Sequence, residues 1–428
     1  MLTYRLSSMS PPERRSLLSR EGMDLSGATE AARPIIEEVR RGGDAALRRL
    51  AARFDGFTGG SLTVPKGEIL DSVKRIDASL LEAVRFSHRR VKAFHSRQRI
   101  NPFTLKDTCG LLGQKVVPLE RVGVYVPGGT ASYASSVIMA CVPARVAGVK
   151  EIAICTPAKG DRVSDAILAA ASVCGVEEVH PVGGAHAIAA MAYGTQSIAR
   201  VQKIVGPGGA IVSAAKLLVR NDCEIDFLAG PSEVLIVADA KADPALVSSE
   251  MLAQLEHDVF ARALLVTPSK RMAERTAALL ERQIGLAERR EIAAKAAVRG
   301  AAFVMVRDLD EAMEFANEYA PEHLLLDVEQ PVRLLAKVRN AGSVFLGRHS
   351  SVAYGDYCAG TNHILPTSGT AAMKSALSVY DFLKVIPYQG ISAQGAATMA
   401  PQARMLALTE GLTAHAEAAV ARARRKNR

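Results

Sequence analysis

The stretch RVGVYVPGGTASYASSVIMACVPARVAGVKEIAIC, residues 121–155, decides the fold. A short apolar run, Val122–Val126, enters a turn at Gly128 and Gly129. A helical segment follows, and a second apolar run, Glu151–Cys155, closes the unit. Strand, crossover helix and strand within about thirty residues is how a parallel pair is connected, because parallel neighbours cannot be joined by a tight turn. Working outward, Val179–Val182, Lys203–Val205, Glu233–Ala238, Arg262–Val266, Ala302–Val306, His323–Asp327 and Ser343–Leu346 repeat the pattern, with helical segments in most gaps. So many strands rarely share one sheet, so the chain is expected to be a doubly wound α/β protein with two sheets.

The flanks read differently. Residues 1–100 are expected to be helical, with Ala/Leu/Arg/Glu-rich periodic stretches near 29–53 and 66–96. After about residue 375 strands are expected to stop, and residues 404–426, which contain Glu410 and His415, carry an Ala-rich helical pattern. A helix without a sheet of its own needs another surface to pack on, which makes this segment a candidate arm across a dimer interface.

Composition fits this picture. The chain has 428 residues, 49% hydrophobic and 23% charged, enough for two or three domains with a large core and too apolar for disorder. Trp is absent and aromatics make up 5%, so the core must rest on Ala, Val, Ile and Leu. The net charge of +9 is diffuse apart from Arg422, Arg424, Arg425, Lys426 and Arg428, a run read as a solvated helix end complementing the dipole. No aromatic residues interleave with it as a nucleic-acid stacking platform requires. Six cysteines are scattered without a C-x-x-C pair, and Cys141, Cys155 and Cys174 fall inside apolar stretches, as buried free thiols do. No signal peptide is visible, and the longest apolar run, Val137–Ala144, is too short to span a bilayer; a cytoplasmic location is expected.

Three glycine clusters follow strands: Gly128-Gly129, Gly183-Gly184, and Gly206 with Gly208-Gly209. Such turns let backbone N–H groups approach a phosphate, but Gly206-Pro207-Gly208-Gly209-Ala210-Ile211 lacks the last glycine of a dinucleotide fingerprint. Thr156 and Pro157 stand where an acidic ribose ligand would end the Glu151–Cys155 strand. Tight turns of an ordinary sheet explain these clusters equally well. Asp243-Pro244 is a strong helix start, and Gln254 and His257 on that helix are spaced to share one face, where an amide oxygen and an imidazole can chelate a cation. In Asn317-Glu318-Tyr319-Ala320-Pro321-Glu322-His323-Leu324, Pro321 disfavours a helical Ala320. Glu322 and His323 then sit at a helix-to-strand junction, pointing in different directions; taken alone they read as a solvated loop pair, although such groups also suit two separate proton-transfer roles. Gly355-Asp356-Tyr357 and Gly360-Thr361-Asn362-His363 occupy a glycine-rich loop, a common setting for functional side chains. No H-E-x-x-H or G-x-S-x-G is present, so the metalloprotease and serine-hydrolase signatures are missing.

Together these segments resemble the histidinol dehydrogenase family. The resemblance is carried by Tyr125-Val126-Pro127-Gly128-Gly129, Ala229-Gly230-Pro231-Ser232-Glu233, Gln254-Leu255-Glu256-His257 and Ala320-Pro321-Glu322-His323-Leu324. It continues through Gly355-Asp356-Tyr357, Gly360 to Thr367, and Leu412-Thr413-Ala414-His415, in order along nearly the whole chain.

The resemblance implies two incomplete Rossmann-like domains, with a helical N-terminal segment (1–120) joining the first α/β domain (232–375). The dinucleotide-side domain would be 121–231, and 376–428 a helical arm exchanged across a homodimer. It implies one Zn²⁺ per subunit held by Gln254, His257, Asp356 and, from the second subunit, His415. Substrate would be bound by those four residues with Ser232, His323, His363 and Glu410, the last also reaching across the dimer. The implied reaction is oxidation of L-histidinol to L-histidine through an enzyme-bound aldehyde, reducing two NAD, with His323 and Glu322 as the catalytic groups. Tyr125, His186 and Gly209 occupy dinucleotide-associated positions; the family usually has Gln at the second and Asn at the third. Those two departures motivate one alternative, a paralogue with impaired NAD binding. The other is a related dehydrogenase of a sulfonated diol. No nucleic acid or membrane is expected as a partner.

Overall fold

The computed structural model describes residues 2–20, 25–128, 133–228 and 230–424. Gly129 and Ala229 of the motifs, and Arg425, Lys426 and Arg428 of the basic run, lie outside the described residues. The strands in chain order are β1 (Leu2–Arg5), β2 (Phe103–Asp107), β3 (Gly110–Pro118), β4 (Arg121–Tyr125), β5 (Glu151–Cys155), β6 (Glu178–His180) and β7 (Lys203–Val205). Then come β8 (Glu224–Ile225), β9 (Glu233–Ala238), β10 (Arg262–Thr267), β11 (Ala301–Met305), β12 (His323–Asp327), β13 (Ser343–Leu346) and β14 (Leu383–Ile391). The chain divides into two compact units, Met1–Gln98 with Glu120–Asp381, and Arg99–Leu119 with Phe382–Arg428.

The first unit holds both parallel sheets, as the apolar runs predict. One has the order β6-β5-β4-β7-β8 and the other β1-β11-β10-β9-β12-β13. From the first strand of each crossover series the order is 3-2-1-4-5 in both, a Rossmann order lacking its sixth strand, with β1 added to one edge of the second sheet. Each sheet therefore reverses direction once, between β4 and β7 and between β9 and β12. The strands read as continuous apolar runs because helices cover both faces; all six residues of Glu233–Ala238 are buried.

The core shows how a chain poor in aromatics packs. Every residue from Ala185 to Ala192 in the Gly184–Tyr193 helix is buried, because that helix lies in the same core as Ile36, Val39 and Leu47 of the Leu25–Asp55 helix and Ile204 of β7. Alanines allow close approach on all sides, so no single apolar stripe is visible in such a helix.

Several expectations need correction. The N-terminal hundred residues are not all helical: β1 pairs with β11, and the Leu25–Asp55 helix packs on the helices Gly184–Tyr193 and Ala210–Val219 that cover the five-stranded sheet. Strands also do not stop near residue 375, because β14 pairs antiparallel with β3, and β3 with β2, in the second unit. The Ala-rich C-terminal pattern is two helices, Ala393–Thr409 and Thr413–Arg424, broken where Gly411 takes φ 75°. Among the described residues no helix is long and apolar enough to cross a membrane. Cys141, Cys155 and Cys174 are buried free thiols as expected; burial pushes each upward, Cys174 to about 12.

Candidate active site

A cleft of the first unit, about 550 Å³ in volume, is lined by both sheet systems. From the five-stranded sheet come Pro127, after β4, and Pro207, Gly208 and Gly209, after β7. These lie beyond the carboxyl ends of the strands flanking the reversal, where open α/β sheets bind ligands. Gly206 closes this edge at φ 119°, and a Cβ there would stand 2.1 Å from the Tyr125 carbonyl oxygen, so only glycine lets β7 turn against β4. From the six-stranded sheet come Ser232, Glu322 and His323, at the amino ends of the neighbours β9 and β12.

The Glu322-His323 junction follows from local sequence. The helix Leu309–Tyr319 ends on Ala320 in the left-handed region, φ 47° and ψ 64°, and Pro321 then forbids its continuation. Gly342 passes so close that a Cβ would meet the Glu322 carbonyl oxygen at 2.6 Å, with Ser343 N–H donating to that oxygen at 2.9 Å. The two side chains do not diverge as sequence spacing suggested. His323 Nδ1 lies 3.5 Å from Glu322 Oε2, and the Glu233 main chain reaches both residues: its N–H donates to Glu322 Oε2 (2.8 Å) and its carbonyl accepts from His323 Nδ1 (3.0 Å). That orients the ring with Nδ1 toward the Glu233 carbonyl and leaves Nε2 without a hydrogen-bond partner, 3.6 Å from Asp356 Oδ1.

Electrostatics tie the pair together. Burial raises the Glu322 carboxyl to about 7, opposed by the facing His323 ring. Burial alone would lower His323, but the carboxylates of Glu322 and Asp356 outweigh it and hold the imidazole up at about 9. One proton is thus retained between a carboxyl and an imidazole in contact, the arrangement of coupled acid–base groups.

Four further side chains, Gln254, His257, Asp356 and His363, converge on the same cleft. Gln254, in the helix Pro244–Leu255, is 4% exposed with an unpartnered amide nitrogen. Asp243 caps that helix through Ala245 N–H as expected, but the helix stops before His257, which follows the cap in a turn and is exposed. Burial would raise Asp356, but the imidazoles of His323, His363 and His257 outweigh it and bring the carboxyl below the usual carboxylate range. His363 donates from Nδ1 to the Asp356 carbonyl at 2.7 Å and turns Nε2 toward Ser136 Oγ, 3.3 Å away; burial keeps the ring low and neutral. Asn362 anchors that loop on the Met139 carbonyl (2.7 Å).

The other expected residues are placed differently. Gly209 lines the cleft, whereas Tyr125 and His186 are buried around Asp55: Tyr125 accepts from Gly184 N–H (3.2 Å), and His186 Nε2 meets Asp55 Oδ2 at 2.9 Å. Glu410 and His415 belong to the second unit, where both are exposed. Sequence reasoning missed Ser136, hidden in an apolar run, and the Glu233 clamp, which acts through main-chain atoms and so leaves no side-chain signature.

Two sheets of Rossmann strand order beside a cleft that holds a buried carboxyl–imidazole pair define an α/β enzyme. The chain belongs to the histidinol dehydrogenase family, whose model matches residues 18–423. The histidinol dehydrogenase of Pseudomonas fluorescens is 43% identical over 422 residues, spanning 97% of this chain and 96% of its own. That of Methanothermobacter thermautotrophicus is 44% identical over 403 residues, spanning 94% of this chain and 95% of its own. The crystal structure of histidinol dehydrogenase from Elizabethkingia anophelis superposes with a TM-score of 0.94 at 33% identity, covering 99% of this chain and 98% of that one.

Proposed function

We propose that this chain oxidises L-histidinol to L-histidine, completing histidine biosynthesis in the cytoplasm, as a homodimer using one Zn²⁺ per subunit and NAD. The observation that carries the mechanism is the buried Glu322–His323 pair, with His323 Nε2 unpartnered and aimed at Asp356 in the cleft.

The donor set fits zinc. Gln254, His257 and Asp356 offer an amide oxygen, an imidazole and a carboxylate to one cleft. A fourth ligand, His415, would come from a second subunit. Exposed Met405, Leu406 and Leu412 beside His415 support its packing against another chain. When bound, zinc supplies a Lewis-acidic anchor for the substrate's imidazole and amine, and NAD supplies the hydride acceptor used twice. Ser232, His363 and the second subunit's Glu410 complete the substrate contacts.

The proton transfers belong to this chain. In the form of the pair whose proton sits on Glu322, His323 is neutral and its Nε2 takes the alcohol proton as the hydride leaves the carbinol carbon; Glu322 then gives its proton up to solvent and is a carboxylate for the next step. Glu322 Oε2 is held by Glu233 N–H, so Oε1 is the oxygen that takes a proton from water as its hydroxyl adds to the bound aldehyde. A second hydride then leaves, and the balance is histidinol, water and two NAD⁺ giving histidine, two NADH and three protons. Tyr125, His186 and Gly209 stand at the dinucleotide side.

A steady-state assay tests this: two NADH per histidinol, abolished by chelation and restored by zinc. No NADH from metal-loaded protein would overturn it.

A further inference from the structure

Behind the Glu322–His323 pair lies an ion pair outside the substrate cleft. Glu233 opens β9, and its side chain is 2% exposed. Arg20 Nε donates to Glu233 Oε2 at 2.7 Å, and the Tyr319 hydroxyl donates to the same oxygen at 3.1 Å. The other carboxylate oxygen, Oε1, has no hydrogen-bond partner among the described residues. Arg20 is the only basic side chain within ion-pair distance of Glu233 among those residues.

The same guanidinium does a second thing. Its Nη2 donates to the Tyr319 carbonyl and reaches the Ala320 carbonyl at 3.5 Å, while its plane stacks on the Tyr319 ring with 3.9 Å to the centroid. Ala320 is the left-handed corner from which Pro321, Glu322 and His323 depart. One side chain therefore braces both halves of the pair's support: the residue whose N–H and carbonyl hold Glu322 and His323, and the corner that delivers them.

We infer that Arg20 and Glu233 are positioning residues for the oxidation, fixing Glu322 against His323 from behind without touching substrate. The inference rests on the assignment of Glu322 and His323 as the proton-transfer groups. Without Arg20 the buried Glu233 carboxylate loses its counter-charge and the corner loses a clamp, so the acid–imidazole contact shifts. A shift on the ångström scale at reacting groups costs about 100-fold in rate, while a cleft that Arg20 does not line keeps its substrate affinity.

The test compares full-length wild type, Arg20→Met, Arg20→Lys and Tyr319→Phe for kcat and KM with histidinol, zinc content and melting temperature. Arg20→Met is expected to lower kcat about 10- to 100-fold with KM and zinc content within about twofold of wild type. Arg20→Lys, which keeps the charge but not the fork, should recover part of that loss. Tyr319→Phe, which removes one hydroxyl and no charge, should lower kcat about two- to five-fold without affecting KM and keeps the test decisive if Arg20→Met does not fold. Wild-type turnover in the same assay separates failure of the functional assignment from failure of this one. Unchanged kcat in the folded variants, or a loss that follows only the folded fraction, would overturn the positioning role.

Discussion

His186 Nε2 lies 2.9 Å from Asp55 Oδ2, joining the first turn of the Gly184–Tyr193 helix to the end of the Leu25–Asp55 helix. The same oxygen accepts from Gly183 N–H at 2.8 Å, and the ring stacks near Phe54. His186 is thus a buried partner of Asp55. Replacing it by Ala removes a donor to a buried carboxylate and opens a cavity, a loss of about 2–4 kcal/mol. His186→Gln keeps an N–H donor and should lose under about 1.5 kcal/mol. Urea denaturation midpoints check both; equal losses would contradict the hydrogen-bond account.

Lys216 and Asp226 form a buried ion pair, with side chains 2% and 1% exposed. Lys216 Nζ also donates to the Gly206 carbonyl (2.7 Å), and Gly206 N–H donates to Asp226 Oδ2 (2.8 Å), so the pair grips the glycine turn at the sheet's reversal. Lys216→Met strands a buried carboxylate and should destabilise by about 3–5 kcal/mol, whereas adding Asp226→Leu should recover much of it. A double-mutant cycle in denaturant measures that coupling.

Glu178 carries the clearest acid dependence. Burial would raise it, but the His180 ring and the Arg121 guanidinium overcome this and hold the carboxyl at about 2, below 4.5 when unfolded. A depressed pKa stabilises the fold above the unfolded value, and the contribution disappears as pH falls from 4.5 toward 2. With its side chain 29% exposed, the effect is on the order of 1–3 kcal/mol at neutral pH. Glu178→Gln should therefore be less stable than wild type at neutral pH, with the gap closing below about pH 4. A constant gap across that range would rule the linkage out.

How much was legible follows from what each strand needs. In the doubly covered sheets, burial on both faces writes itself as unbroken apolar runs, and β5, β7, β9, β12 and β13 match the runs read from sequence residue for residue. The antiparallel sheet of the second unit carries no such mark. Every residue of β2 is exposed, and β14 contains Pro387, which a strand tolerates at a sheet edge, where the order β14-β3-β2 puts it. In the site, Gln254, His257, Glu322, His323, Asp356 and His363 converge on one cleft although they lie far apart in the chain. Family motifs identified them; periodicity could not. The Arg20, Asp55 and Glu233 contacts depend on tertiary partners 131 to 299 residues away or on main-chain atoms, and neither leaves a local pattern.

A metal site shared between two subunits, as proposed, predicts complementation. His415→Asn and Asp356→Asn homodimers should each lose zinc affinity by about 10- to 100-fold. Refolded together in equal amounts, they form mixed dimers with one intact site each, so about a quarter of wild-type activity should return. Metal analysis and activity of the mixture check this. Unaltered zinc content in His415→Asn would remove the second subunit from the site.

The division of labour between His323 and Glu322 is tested most directly by the first turnover of Glu322→Gln. Rapid mixing with excess NAD and histidinol should release close to one NADH per site at near wild-type rate, then a second more slowly by about 100-fold or more. His323→Asn should suppress the first as well. Two NADH released from Glu322→Gln at the wild-type rate would contradict the account.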